Sequence, residues 1–404
     1  MRHRRAWWVS SVLAAVALVA GVSWVLFRPD DGHPIEPEPT VPSSRDARTW
    51  PFAWDSIWNL PVGRDARLVA AGMALEGSVV GADEDILVLE PDAPATDVVV
   101  NEAGWDGSRS RCGEADPDQV LIEDVPIPTG FSTDPGYLGG TPNHSAALLQ
   151  ADGRTIVQTQ PFHRCGAGGL ATSQFLFDSD DIVDGDGIRG AHGGSMMSSL
   201  GGTIRLGELV PGGAIHHALK LNVNCAQWCS FADDEADGNP GHRWPAVAAD
   251  DYAPGTYGGT NPALQMGSLL VLPADFDLTG LHSEAARIIA RAMRDHGAYI
   301  VDDTAYPAVN FTTEWSPDGR VIDEFARAWG FAFAPDATIG CDAKDAGCRW
   351  ANDIGSMKAA LRVVDDNAPD TIGGAGARRV PCAPAFADGR GGAPASCSPS
   401  PGRT

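Results

Sequence analysis

The segment Ala214 to Val223 reads Ala-Ile-His-His-Ala-Leu-Lys-Leu-Asn-Val, and it gathers two histidines, a lysine and an asparagine in a short run. In an extended strand successive side chains point to opposite faces. That alternation puts Ile215, His217, Leu219, Leu221 and Val223 on one side, and Ala214, His216, Ala218, Lys220 and Asn222 on the other. On the apolar side His217 reads as a core histidine met by hydrogen bonds. His216, beside Lys220 and Asn222, is then the ring free to meet a ligand. Glycoside hydrolysis needs two carboxyl groups across a cleft, and Glu208 with Asp302 or Asp303 is the pair that motif position favours. The candidate catalytic set is His216, Glu208 and His144, and an enzyme requires a cleft on which the three converge. A polysaccharide lyase would instead need a base beside a cation or amide that neutralises a uronate, for which His216, Lys220, Tyr257 and Arg205 have suitable types.

Two further stretches could bind rather than react. Ser145 to Gln150 and Thr155 to Pro161 flank Ala151-Asp152-Gly153-Arg154, whose Asp-Gly pair signals a hairpin turn. Gln158 and Gln160 share a face of that hairpin and can each donate and accept, which suits sugar hydroxyls. The same stripe also fits the wet side of a half-solvated sheet. In His192-Gly193-Gly194-Ser195 the glycines let backbone approach a ligand closely. A serine hydrolase would carry a Gly-x-Ser-x-Gly elbow, and this stretch lacks it. The candidate ligand-binding residues are Gln158, Gln160, Lys220, His192, Arg205 and Tyr257, and no cofactor is implied.

Short strands must position these groups. Ile86 to Leu89, Val98 to Val100, Thr203 to Leu206, Ser268 to Leu272 and Tyr299 to Val301 join the hairpin and the histidine segment as strand signals. One long helix follows Ser283, with Ala285, Ile288, Ile289, Ala292 and Met293 at helical spacing and Gly297 at its stop. A shorter helix runs from about Asp323 to Trp329 before Gly330. The expected fold is mostly β, a jelly-roll-like β-sandwich with one long and one short helix on a face.

The ends of the chain speak to compartment. Arg2, Arg4 and Arg5 precede a run free of charge as far as Phe27, long enough for a membrane span. The predicted organisation is a cytoplasmic basic segment at 1–5, a transmembrane signal anchor at 6–28, a Pro-rich linker at 29–49, an extracytoplasmic β-rich domain at 50–372 and a loosely ordered Gly/Pro/Ala-rich tail at 373–404. Cleavage near Ala17 to Gly21 would give a secreted protein instead. All eight cysteines follow the anchor, and an even count outside the cell reads as disulfides. Short spacings suggest Cys225–Cys229, Cys341–Cys348 and Cys382–Cys397, which leaves Cys112–Cys165. Zinc on Cys225 and Cys229 with His216, His217 or His242 is the competing reading, disfavoured because compact sites carry two tight ligand pairs. With 53 acidic against 29 basic residues, the surface repels nucleic acid and polyanionic glycans. The expected partners are the membrane and a neutral polysaccharide.

Several segments in order resemble an uncharacterised family of exported bacterial β-rich proteins. They are Ser56-Ile57-Trp58-Asn59-Leu60-Pro61-Val62, Gly201 to Leu209, Ala214 to Lys220, Arg243-Trp244-Pro245-Ala246, Met266 to Leu270, and Asp275 to Leu278 leading through the long helix to Asp295 to Asp303. The resemblance covers most of Trp50 to Gly374 and implies a part in cell-envelope or polysaccharide-handling systems. It carries no catalytic residue onto this chain. The cysteine-bearing stretch Asn224 to Ser230 departs from the family pattern.

Overall fold

Sixteen of the seventeen strands build two sheets in the computed structural model, which describes residues 41–73, 77–133, 142–231, 240–304 and 306–397. In chain order the strands are β1 (Leu68–Ala70), β2 (Val79–Val88), β3 (Ala95–Asn101), β4 (Ala115–Pro126), β5 (Ala146–Leu149), β6 (Thr155–Gln160), β7 (His163–Arg164), β8 (Ala171–Ser173) and β9 (Phe175–Leu176). They continue as β10 (Asp180–Asp181), β11 (Arg189–His192), β12 (Leu219–Val223), β13 (Leu269–Val271), β14 (Ala298–Asp303), β15 (Ala308–Ser316), β16 (Gly319–Arg320) and β17 (Arg362–Val364). The large sheet is ordered β1-β17-β13-β14-β12-β15-β2-β5-β6-β10, with β16 on β15 and β9 on β6. The small sheet is ordered β4-β3-β8-β7, and β11 only bridges to Met197. The fold is mostly β, as expected. Its pairing mixes hands, however: β12 with β14, β15 with β2, β2 with β5 and β3 with β8 run parallel, where a jelly roll would be antiparallel throughout. Parallel neighbours need long crossovers, and β3 with β4 lies within the connection from β2 to β5.

Strand alternation divides the core. Ile86 and Val88 of β2, with Ala146 and Leu148 of β5, pack against Val98, Ile122, Val125 and Ala171 of the small sheet. Leu87, Ala147 and Leu149 point the other way, into the cluster shared with the helices. Those helices are α1 (Ala253–Thr256), α2 (Glu284–Asp295), α3 (Val321–Trp329) and α4 (Ala346–Ala360). Ser283 caps α2 by accepting from the Ala286 amide at 3.3 Å, and Glu284 and Arg294 suit its two dipole ends. Helix α3 stops at Gly330, as its sequence predicts. Helix α4, the longest among the described residues, has no counterpart among the sequence expectations. Asp345 caps it by accepting from the Cys348 amide at 2.7 Å, and Trp350, Ala351, Ile354 and Met357 form its buried stripe.

Two strand expectations fail. Thr203 to Leu206 reduces to a single bridge between Ile204 and Thr313. Ala214 to Ala218 lies outside β12, because its partner β14 starts at Ala298 opposite Leu219 and offers no ladder beyond it. The four disulfides are Cys112–Cys165, Cys225–Cys229, Cys341–Cys348 and Cys382–Cys397, so the zinc reading of Cys225 and Cys229 is set aside. Residues 373–397, expected as a loose tail, are tied to the body: the Arg379 amide donates to Val62 O at 2.9 Å and its guanidinium to Arg294 O at 2.6 Å. The anchor predicted at 6–28 lies outside the described residues, among which no helix is long and apolar enough to cross a membrane.

Candidate functional site

Four adjacent strands of the large sheet carry a polar row across one face. The register sets Asn222 of β12 beside both Asp302 of β14 and Asn310 of β15, and Thr312 of β15 beside Asp83 of β2. Residues side by side in a ladder share a face, so these groups converge. The placement of Asp302 depends on a bulge. Leu221 pairs with Ile300 but Asn222 pairs with Asp302, which leaves Val301 as the extra residue. Without it Asn222 would face Val301, and the carboxylate would turn to the other side. The Val301 carbonyl accepts from the Ser195 amide at 3.2 Å.

Strand β11 and the glycines after it close over this row. His192 is fully buried, with Nε2 3.2 Å from Thr312 Oγ1, 3.9 Å from Asp83 Oδ2 and 4.0 Å from Asp85 Oδ1. Gly193 takes φ 43°, and a Cβ there would stand 2.2 Å from the Asp302 carboxyl carbon. At Gly194 a Cβ would stand 2.5 Å from the Asp250 carboxyl carbon. Only glycine lets the chain pass this close to two carboxylates. Asp302 Oδ1 accepts from the Gly194 amide at 3.0 Å and the Asp303 amide at 2.9 Å, and Oδ2 accepts from Asn143 Nδ2. Asp83 accepts from Asn222 Nδ2 at 2.9 Å. Lys220, fully buried, donates to Asp85 at 2.6 Å and to Ser198 O at 2.9 Å. Tyr257 donates to Asp250 at 2.6 Å.

The charges set the electrostatics. Burial, then the charges of Asp250 and Asp83, push the Asp302 carboxyl well above the usual carboxylate range. Burial also raises Asp83 and Asp250. It carries Asp85 up to about 7 against the pull of the Lys220 ammonium. Burial lowers Lys220 and His192. The Lys220 ammonium offsets burial at Asp83 and Asp85, whereas at Asp302 the charge of Asp250 adds to it.

Its rim is aromatic. Trp105 Nε1 donates to Asn143 Oδ1 at 3.0 Å, and the indole stacks on Phe175 at 5.8 Å between centroids. Phe175 and Tyr252 remain 46% and 49% exposed, and the Tyr252 hydroxyl lies 3.4 Å from Asp303 Oδ2.

Of the residues singled out in sequence, His192, Lys220 and Tyr257 meet here, although Lys220 is fully buried on Asp85 and Ser198 rather than on an open face. The catalytic set disperses. His216 stacks on Trp50 at 5.4 Å. Glu208 instead holds the buried His217, 3.2 Å from its Nε2, while His217 Nδ1 lies 2.8 Å from Ala218 O. Arg205 is buried on Glu314 at 2.8 Å. The cavity beside Arg205 and His217 measures about 10 Å³, the room of one water. His144 sits in the other core cluster's neighbourhood, edge-on to Trp315 at 5.6 Å and stacked with His163 at 6.2 Å, and burial holds its pKa at about 3. Gln158 is buried: its Nε2 donates to Asp178 O at 3.0 Å and Arg189 O at 2.9 Å, while its Oε1 accepts from the Ser199 amide at 2.8 Å. Gln160 is buried as well, so the hairpin presents no open glutamine stripe.

Sequence reasoning missed Asp83, Asp85, Asp250 and Asn143. A signal for two of them existed. Gly81-Ala82-Asp83-Glu84-Asp85 alternates directly into Ile86-Leu87-Val88, so one strand runs through both, but the acids read as its boundary. Comparison of the chain with protein-family models, with curated proteins and with solved structures gives no match to any of them.

Proposed function

We propose that this is an extracytoplasmic cell-envelope protein, held at the membrane by its N-terminal segment or secreted, that binds a neutral glycan in the cleft of Asp83, Asp302 and His192. The carrying observation is the join between rim and floor: Trp105, stacked with the exposed Phe175, reaches Asp302 through Asn143. An aromatic face packs on the C–H side of a sugar ring while carboxylates accept its hydroxyls. A formal net charge of −24 disfavours uronate polymers. Four disulfides support an oxidising compartment. The sandwich reading of the fold belongs to the same proposal, and the core shared by β2, β5 and the small sheet supports it.

One observation favours a second reading, hydrolysis of the bound glycan. Oxygens of Asp83 and Asp302 lie within 4.8 Å of each other, near the carboxyl separation of roughly 5 Å in retaining glycosidases. A panel of neutral and uronic polysaccharides, scored for retention and for released reducing ends, tests both. Neutral glycan retained by the native protein and weakened about ten-fold in Trp105→Ala supports binding, since a sugar ring packed on one aromatic face contributes on the order of 1 kcal/mol or more. Equal retention by the variant removes the proposal. Reducing ends that disappear in Asp302→Asn establish hydrolysis.

A further inference from the structure

We infer that the cleft binds one divalent cation of zinc or manganese type through Asp83, His192 and Asp302, leaving coordination positions open toward the glycan. The inference deepens the reading of this cleft as the working site and rests on it for the role of the ion, though not for its binding.

The geometry carries it. One ligand atom from each of the three residues lies within 4.8 Å of the other two, and His192 Nε2 is 3.9 Å from Asp83 Oδ2. A cation about 2.1 Å from each atom needs only a small inward movement. Each carboxylate is already oriented from behind: Asp302 by the Gly194 and Asp303 amides and Asn143, Asp83 by Asn222. Outer contacts of this kind fix ligands at metal centres.

A second observation points to a missing positive group. Asn222 is 4% exposed and its amide nitrogen is committed to Asp83, yet its Oδ1 has no hydrogen-bond partner among the described residues. An acceptor left bare beside carboxylates is costly unless a cation or donor faces it. The charge balance agrees, since Lys220 is committed to Asp85 and no cationic side chain hydrogen-bonds Asp83 or Asp302 among the described contacts. Two carboxylates with one imidazole select zinc or manganese over calcium, which takes six or more oxygens. The ion would coordinate sugar hydroxyls directly. It would also occupy the two oxygens that a retaining hydrolase needs, so the metal and the two-carboxylate mechanism exclude each other.

The test uses the whole protein, stripped with chelator and titrated calorimetrically with Zn²⁺ or Mn²⁺ alone, with Ca²⁺ as comparison. One equivalent of Zn²⁺ or Mn²⁺ bound, and affinity lowered roughly a hundred-fold in Asp83→Asn and His192→Gln, supports the inference. No uptake, or uptake unchanged in both variants, overturns it. Should either variant fail to fold, the native protein loaded with Co²⁺ decides: visible d–d bands and contact-shifted imidazole proton signals support histidine ligation, and their absence overturns it. Glycan retention is measured with and without metal. Metal uptake without any glycan retention defeats the glycan reading alone, and retention by a protein that takes up no metal defeats the cation alone.

Discussion

His217 shows how a single ring can be read from its acceptors. Nδ1 faces the Ala218 carbonyl and Nε2 faces the Glu208 carboxylate, and both partners only accept. A ring that satisfies both must carry both protons. Burial works against that charge, but Glu208 outweighs it and the His217 pKa is raised. The sign follows from linkage. A folded-state pKa above the unfolded value of about 6.5 gives stabilisation fully present below that value and lost as pH rises through the folded pKa. Denaturant melts across that range should therefore show a stability loss in the native protein that is absent in Glu208→Gln; parallel curves would refute the pairing. His217→Ala should lower stability by about 3 kcal/mol, because it removes the ring's hydrogen bonds to Glu208 and the Ala218 carbonyl and opens a cavity. His216→Ala, half-buried on Trp50, should stay near 1 kcal/mol. The sequence pattern distinguished the two histidines by alternation, yet the segment holding them is not a strand. The distinction survives because Ile215 and His217 are both buried against one core.

At the scale of elements, the two helices whose caps and stops are written locally were legible, and α4 was not. Its Gly347 and Gly355 interrupt the apolar stripe, and the packing of Trp350 against Phe325 and Phe333 is a long-range fact. The polar row was illegible for a related reason. Asp302, Asn222, Thr312 and Asp83 come from separate strands, and neither their order nor the bulge at Val301 is encoded in any one segment. Helix α4 also anchors α2. Asp353, buried on α4, accepts from the His282 and Ser283 amides at 3.0 and 2.8 Å and from the Ser283 hydroxyl at 2.8 Å. This carboxylate meets donors at the α2 N-terminus, where negative charge is favoured. Asp353→Ala should cost about 2–4 kcal/mol and lower the melting temperature, with Asp353→Asn intermediate. Hydrogen exchange should then rise in the first turn of α2 before the strands are affected. A melt unchanged in Asp353→Ala would show that the helix start is held by packing alone.

Over the whole molecule, four disulfides close loops of very different length. Cys112 and Cys165 are 53 residues apart and tie the segment after β3 to the segment before β8. Cys225 and Cys229 are 4 residues apart. If crosslinks act by restricting the unfolded chain, the long one contributes about 4 kcal/mol and the short one about 2 kcal/mol. Environment reinforces the contrast. Cys225 and Cys229 are both fully buried, whereas Cys112 and Cys165 are only half-buried, so a reductant meets the long crosslink first. Replacing Cys112 and Cys165 together by Ser should lower stability roughly twice as much as replacing Cys225 and Cys229 by Ala. The loss should concentrate in the small sheet, because β3 and β8 are parallel neighbours and the crosslink holds the chain on either side of them. Hydrogen exchange localises that loss. If β3 and β8 keep their protection in the Cys112/Cys165 variant while the large sheet loses its own, then the small sheet is held by its shared core with β2 and β5, and chain restriction is not what the long disulfide provides.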